Sequence, residues 1–595
     1  MIAKKSYKNH YSISEKFFLE LILELTHPRT SDTYRAKYHN PKTILIELYQ
    51  VLCDWKNEHI KDFQTVKYVV DEAKALLQKD SLIKFNKISI GHFKELLETA
   101  KDKQYTHLLY CSKLLIDDNP DYISILIEKI NQTIETLNEQ KDEILPHELS
   151  DLSLHTSYLV SELINIGISK SYIHEDIFSL RKKSKTYQQI ITCILNYAVD
   201  KRKFQVYFKC IFKSKESIKL KQKNVKTEKH INKIKQQLSD QKITKIINQF
   251  INEEHSESYP QIIGFEVETY DPFTAVKLAK GKLSILFDNL KLGFPDIFIN
   301  QYSRSLIIDT TFMNWPVIKN VFSRIDGKYK TGQEFYEIML EKVSALIENE
   351  KIAEESKEKV KAAIRHLRQG HDAGELEHKF LNYWIGLEYL FSTYNKNDST
   401  FKRIKRFFPP IHSASYIHRN VRGFFTDKRL STIIRDNKTN PNYLIDQSVY
   451  QKIQTDHFKK SPLLGYRALN FKNMVENDTH SGKHKDVCKD MIKSHHLNLE
   501  RHLARIYRIR NEIVHEAAKK PNIESIASNL RFYITFILNS LIEYLYNNPL
   551  DIHQQGLVSI EDFFIIKEIE YLNLSKNGFK LDDLLEVKDV EEIFS

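Results

Sequence analysis

The stretch LARIYRIRNEIVHEAAKK, Leu503–Lys520, decides the reading of the C-terminal third. At about 100° per residue, Leu499, Leu503, Ile506, Ile509, Ile513 and Val514 cover one arc of a helix, the pattern of an amphipathic element in a bundle. Arg510 falls near the middle of that arc, where an arginine is costly unless it is paired or the face is a site. Asn511 and His515, four residues apart, fall together at the edge of the arc, within reach of a cleft.

Spacing alone does not single out this pair. With 24 histidines in 595 residues, an arginine followed by a histidine four to six residues later should arise two or three times by chance, and three such pairs lie in the C-terminal half alone. Arg365 to His371 runs into Gly370 and Asp372, which reads as a helix end. Arg406 to His412 spans Pro409 and Pro410, which should break a continuous helix. Arg510 to His515 alone sits in a run that a helical wheel interprets.

A similar oddity lies upstream in KFLNYWIGLEYLFS, Lys379–Ser392, where Glu388 shares a face with Leu381, Trp384, Ile385 and Phe391. A lone carboxylate on an apolar stripe and a lone arginine on another are most economically explained if Glu388 and Arg510 meet inside a bundle. The pair is then either purely structural, or Glu388 is an acid that aims a working arginine.

These residues resemble the HEPN superfamily of small helical domains, closest to the ApeA-like branch of bacterial anti-phage defence. The resemblance rests on LARIYRIRNEIVHEAAKK followed by IASNLRFYITFILNSLIEYL, with KFLNYWIGLEYLF upstream, and covers roughly residues 346 to 548. The family motif, an arginine, a polar residue and a histidine, falls on Arg510, Asn511 and His515. One departure is Glu516-Ala517, where many relatives have a glycine nearby. The resemblance implies a metal-independent endoribonuclease without cofactor, leaving 2′,3′-cyclic phosphate and 5′-hydroxyl ends on tRNA, mRNA or rRNA. It also implies a homodimer with a composite cleft, a phage-derived trigger, and a toxin-like role in abortive infection. The alternative is a HEPN-like module that binds nucleic acid or a partner without cutting.

The residue types suit that chemistry. An imidazole can take a proton from a ribose 2′-hydroxyl or give one to the leaving oxygen. A guanidinium stays charged and can stabilise the crowded phosphorus, while Asn511 can orient the phosphate or His515. Residues five apart on a helix point about 140° apart, so one Arg510 and His515 pair does not readily face one phosphate.

The rest of the chain reads as mostly α: a helical N-terminal region (1–200), a lysine-rich segment with a small α+β module (201–345), the C-terminal helical bundle (346–548) and an acidic tail (549–595). In the module, Ile263, Phe265 and Val267 alternate with Glu266 and Glu268 as a half-buried strand. Asp271 then reads as a helix cap, Pro272 as the first helical residue, and Ala275, Ala279, Leu283, Leu286 and Leu290 as one helix face. A net charge of +11 suits a polyanion partner, although about 20 arginines against roughly 69 lysines is equally a compositional bias. Phe212–Ile246 concentrates lysine, as a solvated segment or a phosphate-contacting surface. Five dispersed cysteines, no signal-like segment and no long apolar run point to a cytoplasmic, non-membrane protein without disulfides.

Two further constellations are weaker. His480, His484 and Cys488 stand at helical i, i+4, i+8 spacing before His495 and His496, a zinc set only if completed by further ligands. Pro295-Asp296 with Asp326-Gly327-Lys328 has the composition of a metal-dependent DNA-cleaving site, but Gly327 indicates a turn where that chemistry wants a strand.

Overall fold

A computed structural model of the chain describes residues 11–28, 39–60, 63–78, 80–99, 105–139, 144–197, 199–213, 226–237, 241–252, 260–311, 317–320, 333–393, 399–436, 443–479, 487–516, 523–547 and 557–575. The protein is mostly α, with one four-stranded antiparallel sheet among the described residues. The chain forms two units: residues 1–25, 29–161 and 325–595, and residues 26–28 and 162–324.

The larger unit begins with α1 (Ile13–Leu25), α2 (Pro41–Lys56), α3 (Phe63–Leu77), α4 (Ile90–Glu98), α5 (Tyr105–Asp118), α6 (Tyr122–Glu139) and most of α7 (Ser150–Asn165). Helix α2 starts where it does because Asn40 and Thr43 cap each other reciprocally. Thr43 N donates to Asn40 Oδ1 at 2.7 Å, Asn40 N donates to Thr43 Oγ1 at 2.8 Å, and Pro41 occupies the first turn, where its missing N–H costs nothing. Val66, Val70 and Ala73 of α3 pack with Ile44, Leu48 and Leu52 of α2 in one apolar cluster.

The smaller unit holds α8 (Lys170–Lys182), α9 (Tyr187–Asn196), β1 (Arg202–Lys213), α10 (Glu228–Gln237), α11 (Gln241–Ile251), β2 (Gln261–Thr269), α12 (Pro272–Gly293), β3 (Phe298–Asp309) and β4 (Val317–Asn320). The sheet order is β2-β1-β3-β4. Strand alternation sends Val206, Phe208, Phe265 and Ile307 toward α12, and Tyr207, Ile262, Leu306 and Ile308 toward Ile231, Ile247 and Phe250 of α10 and α11. The expected strand and helix are both present: Ile263, Phe265 and Val267 are buried, as are Ala275, Ala279, Leu283, Leu286 and Leu290. Asp271 caps α12 through Oδ1, which accepts from Phe273 N at 2.8 Å and Thr274 N at 3.0 Å.

Three parts of the sequence reading take the following form in the structure. The boundary drawn at residue 200 falls near 161, because α8 and α9 belong to the unit that contains the sheet; helical periodicity reports a buried face, not what buries it. The described part of the lysine-rich segment is an amphipathic helix pair covering the sheet through Ile231 and Ile247, and residues 214–225 and 238–240 lie outside the described residues. The acidic tail is in part core, since Phe563 and Phe564 are fully buried on a C-terminal helix; residues 576–595 lie outside the described residues.

The larger unit resumes with α13 (Gln333–Glu348), α14 (Glu354–Asp372), α15 (Leu376–Phe391), α16 (Thr400–Ala414), α17 (Tyr416–Phe425), α18 (Ser431–Asp436), α19 (Gln447–His457), α20 (Pro462–Thr479), α21 (Val487–Glu516), α22 (Ile523–Asn547) and α23 (Ile560–Leu574). Its main core gathers residues of α14, α15, α16, α21, α22 and α23, with Trp384 of α15 completely buried. Phe391 of α15 stacks on Phe564 of α23, ring centroids 4.6 Å apart. Contrary to the sequence reading, α16 continues through Pro409 and Pro410 to Ala414. Two missing N–H donors cost about 3 kcal/mol or more, but Phe407, Phe408, Pro409, Pro410 and Ile411 are all buried, and that burial outweighs the loss.

Candidate functional site

Helix α21 is a 30-residue rod whose C-terminal turns carry the arginine and histidine pair. Leu499, Leu503, Ile506, Ile509 and Ile513 are buried as the wheel requires, but Val514 is 48% exposed, so the apolar arc stops at Ile513. Tyr507 sets the helix against its neighbours: its ring stacks on Phe401 of α16 at 3.9 Å and lies 5.9 Å from Trp384 of α15. On α15, Gly386 allows close approach of α22, since an added Cβ would meet Ile534 Cδ1 at 2.4 Å. These contacts bring Glu388 opposite Arg510.

The two groups face each other, but loosely. Arg510 Nη2 lies 3.9 Å from Glu388 Oε2, an ion-pair separation too long for a hydrogen bond, and each side chain is about a quarter exposed. Arg510 Nη1 donates to Asn511 Oδ1 at 3.2 Å. His515 lies on the last described turn and is exposed. Arg510 is therefore oriented by a carboxylate and an amide, and His515 stands in solvent on the same helix end. A guanidinium so placed can bind a phosphate, and an exposed imidazole can exchange protons with a ribose hydroxyl.

The other two arginine and histidine hits are placed differently. Arg365 and His371 both lie on α14, which ends at Asp372 as the sequence suggests, and the His371 ring meets Tyr383 edge-on. Arg406 is on the surface, bonded twice to Glu568 at 3.1 and 3.0 Å, whereas His412 is completely buried with its Nδ1 2.9 Å from His495 Nε2. His495 thus packs with His412 and stacks on Tyr416, while Cys488 is buried in an apolar cluster. His480, His484 and the Asp326-Gly327-Lys328 segment lie outside the described residues. Asp296 is placed in the turn before β3. No helix among the described residues is long and apolar enough to cross a membrane.

Sequence reasoning missed what grips α21 one to two turns before Arg510. Arg505 Nε reaches both oxygens of Glu47 on α2 at 2.9 and 3.1 Å, and its Nη2 bridges Glu47 at 2.9 Å and Glu72 of α3 at 2.8 Å. Arg508 also bonds Glu47, and His39 Nε2 lies 2.8 Å from the same carboxylate. Burial alone would raise the Glu47 carboxyl, but Arg505, Arg508 and His39 overrule it and hold it well below the usual carboxylate range. Arg508 Nε in turn lies 3.9 Å from Glu512, within the motif segment. The missed signal was the one used for Glu388: Glu47 sits alone among Ile44, Leu45, Leu48 and Val51.

Because Arg505 is only 7% exposed, Glu47→Ala would leave it with Glu72 as its remaining carboxylate partner. The expected cost is about 3–5 kcal/mol, read as a lowered melting temperature. An unchanged melting temperature would mean that Glu72 and water suffice.

Comparison with protein-family models, with curated proteins and with solved structures finds no match for this chain.

Proposed function

We propose that the protein is a metal-independent endoribonuclease of the HEPN type, with His515 as the proton-transferring group, Arg510 as the phosphate clamp, and Asn511 and Glu388 orienting Arg510. The observation that carries this reading is the guanidinium of Arg510 held between Glu388 and Asn511 at the same helix end as an exposed His515. An arginine needed only for packing would be closed off by its carboxylate, as Arg505 is by Glu47; Arg510 keeps a long, half-open pairing instead.

The reaction is a transesterification. The 2′-oxygen loses its proton to a base and attacks the adjacent phosphorus, the bond to the 5′-oxygen breaks, and that oxygen receives a proton. Two proton-transfer positions on opposite sides of the phosphorus are needed, and one helix end supplies one imidazole. A second copy of the chain facing the first across a twofold axis supplies the other, so the active species is a homodimer. The substrate is tRNA, mRNA or rRNA, and the remaining helices restrain cleavage until a phage-derived trigger arrives, as an effector of abortive infection.

The test incubates the purified full-length chain with total RNA in EDTA and maps the cleaved ends. Cyclic phosphate and 5′-hydroxyl ends are the expected result. RNA retained on the protein but uncut, with and without lysate of phage-infected cells, would overturn the enzyme in favour of a binding module.

A further inference from the structure

A second site lies away from Arg510, in a cavity of about 530 Å³ walled by α1, α7, α17, α20 and the first turns of α21. That volume falls in the range of small-molecule sites, roughly 300–1,000 Å³. Three aromatic rings line it, and each is fixed from behind. Tyr416 stacks on His495 with ring centroids 3.9 Å apart, Tyr466 meets Phe17 edge-on at 5.3 Å, and Phe471 packs on Phe424 at 5.0 Å.

Two amides supply the polar groups. Asn420 Nδ2 donates to the Tyr416 carbonyl at 3.0 Å, which fixes the amide plane and leaves Oδ1 as an acceptor. Asn470 makes no hydrogen bond among the described residues, so its donor and acceptor are both available at the rim. A primary amide offering donor and acceptor side by side matches the exocyclic amine and adjacent ring nitrogen of adenine, and aromatic walls suit a stacked base.

Charge narrows the ligand further. Arg467 is the cation of the lining among the described residues, and it is already ion-paired with Glu24, with Glu20 nearby. Among the described lining residues no cation is left over for a phosphate.

We propose that this cavity binds the base of a neutral purine nucleoside, of the adenosine class, with Asn470 and Asn420 reading the base edge between Tyr416, Tyr466 and Phe471. The site is separate from the helix end bearing Arg510 and His515, and it stands whether or not that end cuts RNA.

Calorimetric titration of the full-length protein tests it, with adenosine, uridine, adenosine monophosphate and a short adenine-only RNA as probes. Adenosine should bind with a Kd below about 1 mM, and about tenfold more tightly than uridine or the monophosphate. Asn470→Ala alters an exposed side chain and should weaken adenosine by about tenfold. Ser157→Phe, which fills the cavity, should abolish binding. Absence of adenosine binding at about 1 mM, or binding indifferent to both substitutions, would overturn the site. Tighter binding of the monophosphate would overturn the neutral ligand, and tighter binding of the RNA would overturn the small-molecule assignment.

Discussion

His515→Ala is expected to slow RNA cleavage by about 10²–10⁴-fold while leaving the melting temperature unchanged. The rate loss follows from removing the group that moves a proton in the proposed reaction. The unchanged stability follows from position: His515 is exposed on the last described turn of α21, away from the buried face, and substitutions at such sites stay within about 0.5 kcal/mol. Arg510→Lys makes a useful contrast. A lysine keeps the charge but loses the planar fork that faces Glu388 and Asn511 together, so the rate should fall without recovery to the wild-type value. Single-turnover cleavage of one defined RNA in EDTA, alongside circular-dichroism melting, checks both. Equal rates for wild type and His515→Ala would remove His515 from the chemistry and leave Arg510 as a binding residue.

How much of this was legible in the sequence depends on what a residue reports. Caps are local, so Asp271-Pro272 announced α12 correctly, with Asp271 accepting from both following amides. A burial stripe is also local, and the lone carboxylate on α15 led to the facing of Glu388 and Arg510. Partners are not local. Glu47 and Arg505 lie in distant parts of the chain, and the periodicity of α2 shows only that Glu47 is inside. Glu20 is a parallel case. It interrupts an apolar run in α1, and in the structure it is 2% exposed and accepts from Ser461 Oγ at 2.9 Å and Leu463 N at 3.1 Å at the start of α20. The failure at Pro409-Pro410 has another cause: a local rule about missing donors was overridden by burial on both sides. The open pocket by Tyr416 was invisible because five separate helices wall it.

Acidification from pH 7 to pH 5 should destabilise the protein far more than its surface charge suggests, because four buried histidines and the half-buried His496 are held without a proton. Burial, with Arg419 and a neighbouring imidazole, holds His412 and His495 well below the ordinary histidine value. Burial with Arg422 and Arg419 brings His418 down to about 4, burial alone brings His496 to about 4, and burial with Arg505 brings His502 to about 3. Above about pH 6.5 these rings are neutral in both folded and unfolded chains, so the stabilising contribution is complete there. Below it the unfolded chain takes up protons that the folded chain refuses, and stability falls as the pH drops toward the folded-state values. Each group that stays neutral in the folded chain then costs up to about 1.4 kcal/mol per pH unit below its unfolded value, and all five act in the same direction. Asp80 and Glu500, whose carboxyls burial raises, act in the opposite direction but are two groups against five. The melting temperature should therefore fall on the order of 10 °C or more. His502→Phe isolates one of the five. Its ring Nδ1 lies 2.7 Å from the Tyr533 hydroxyl, so the substitution costs that hydrogen bond at neutral pH but makes the acid loss shallower by one proton. A melting temperature indifferent to pH between 7 and 5, in wild type and variant alike, would mean that these imidazoles reach water and titrate normally.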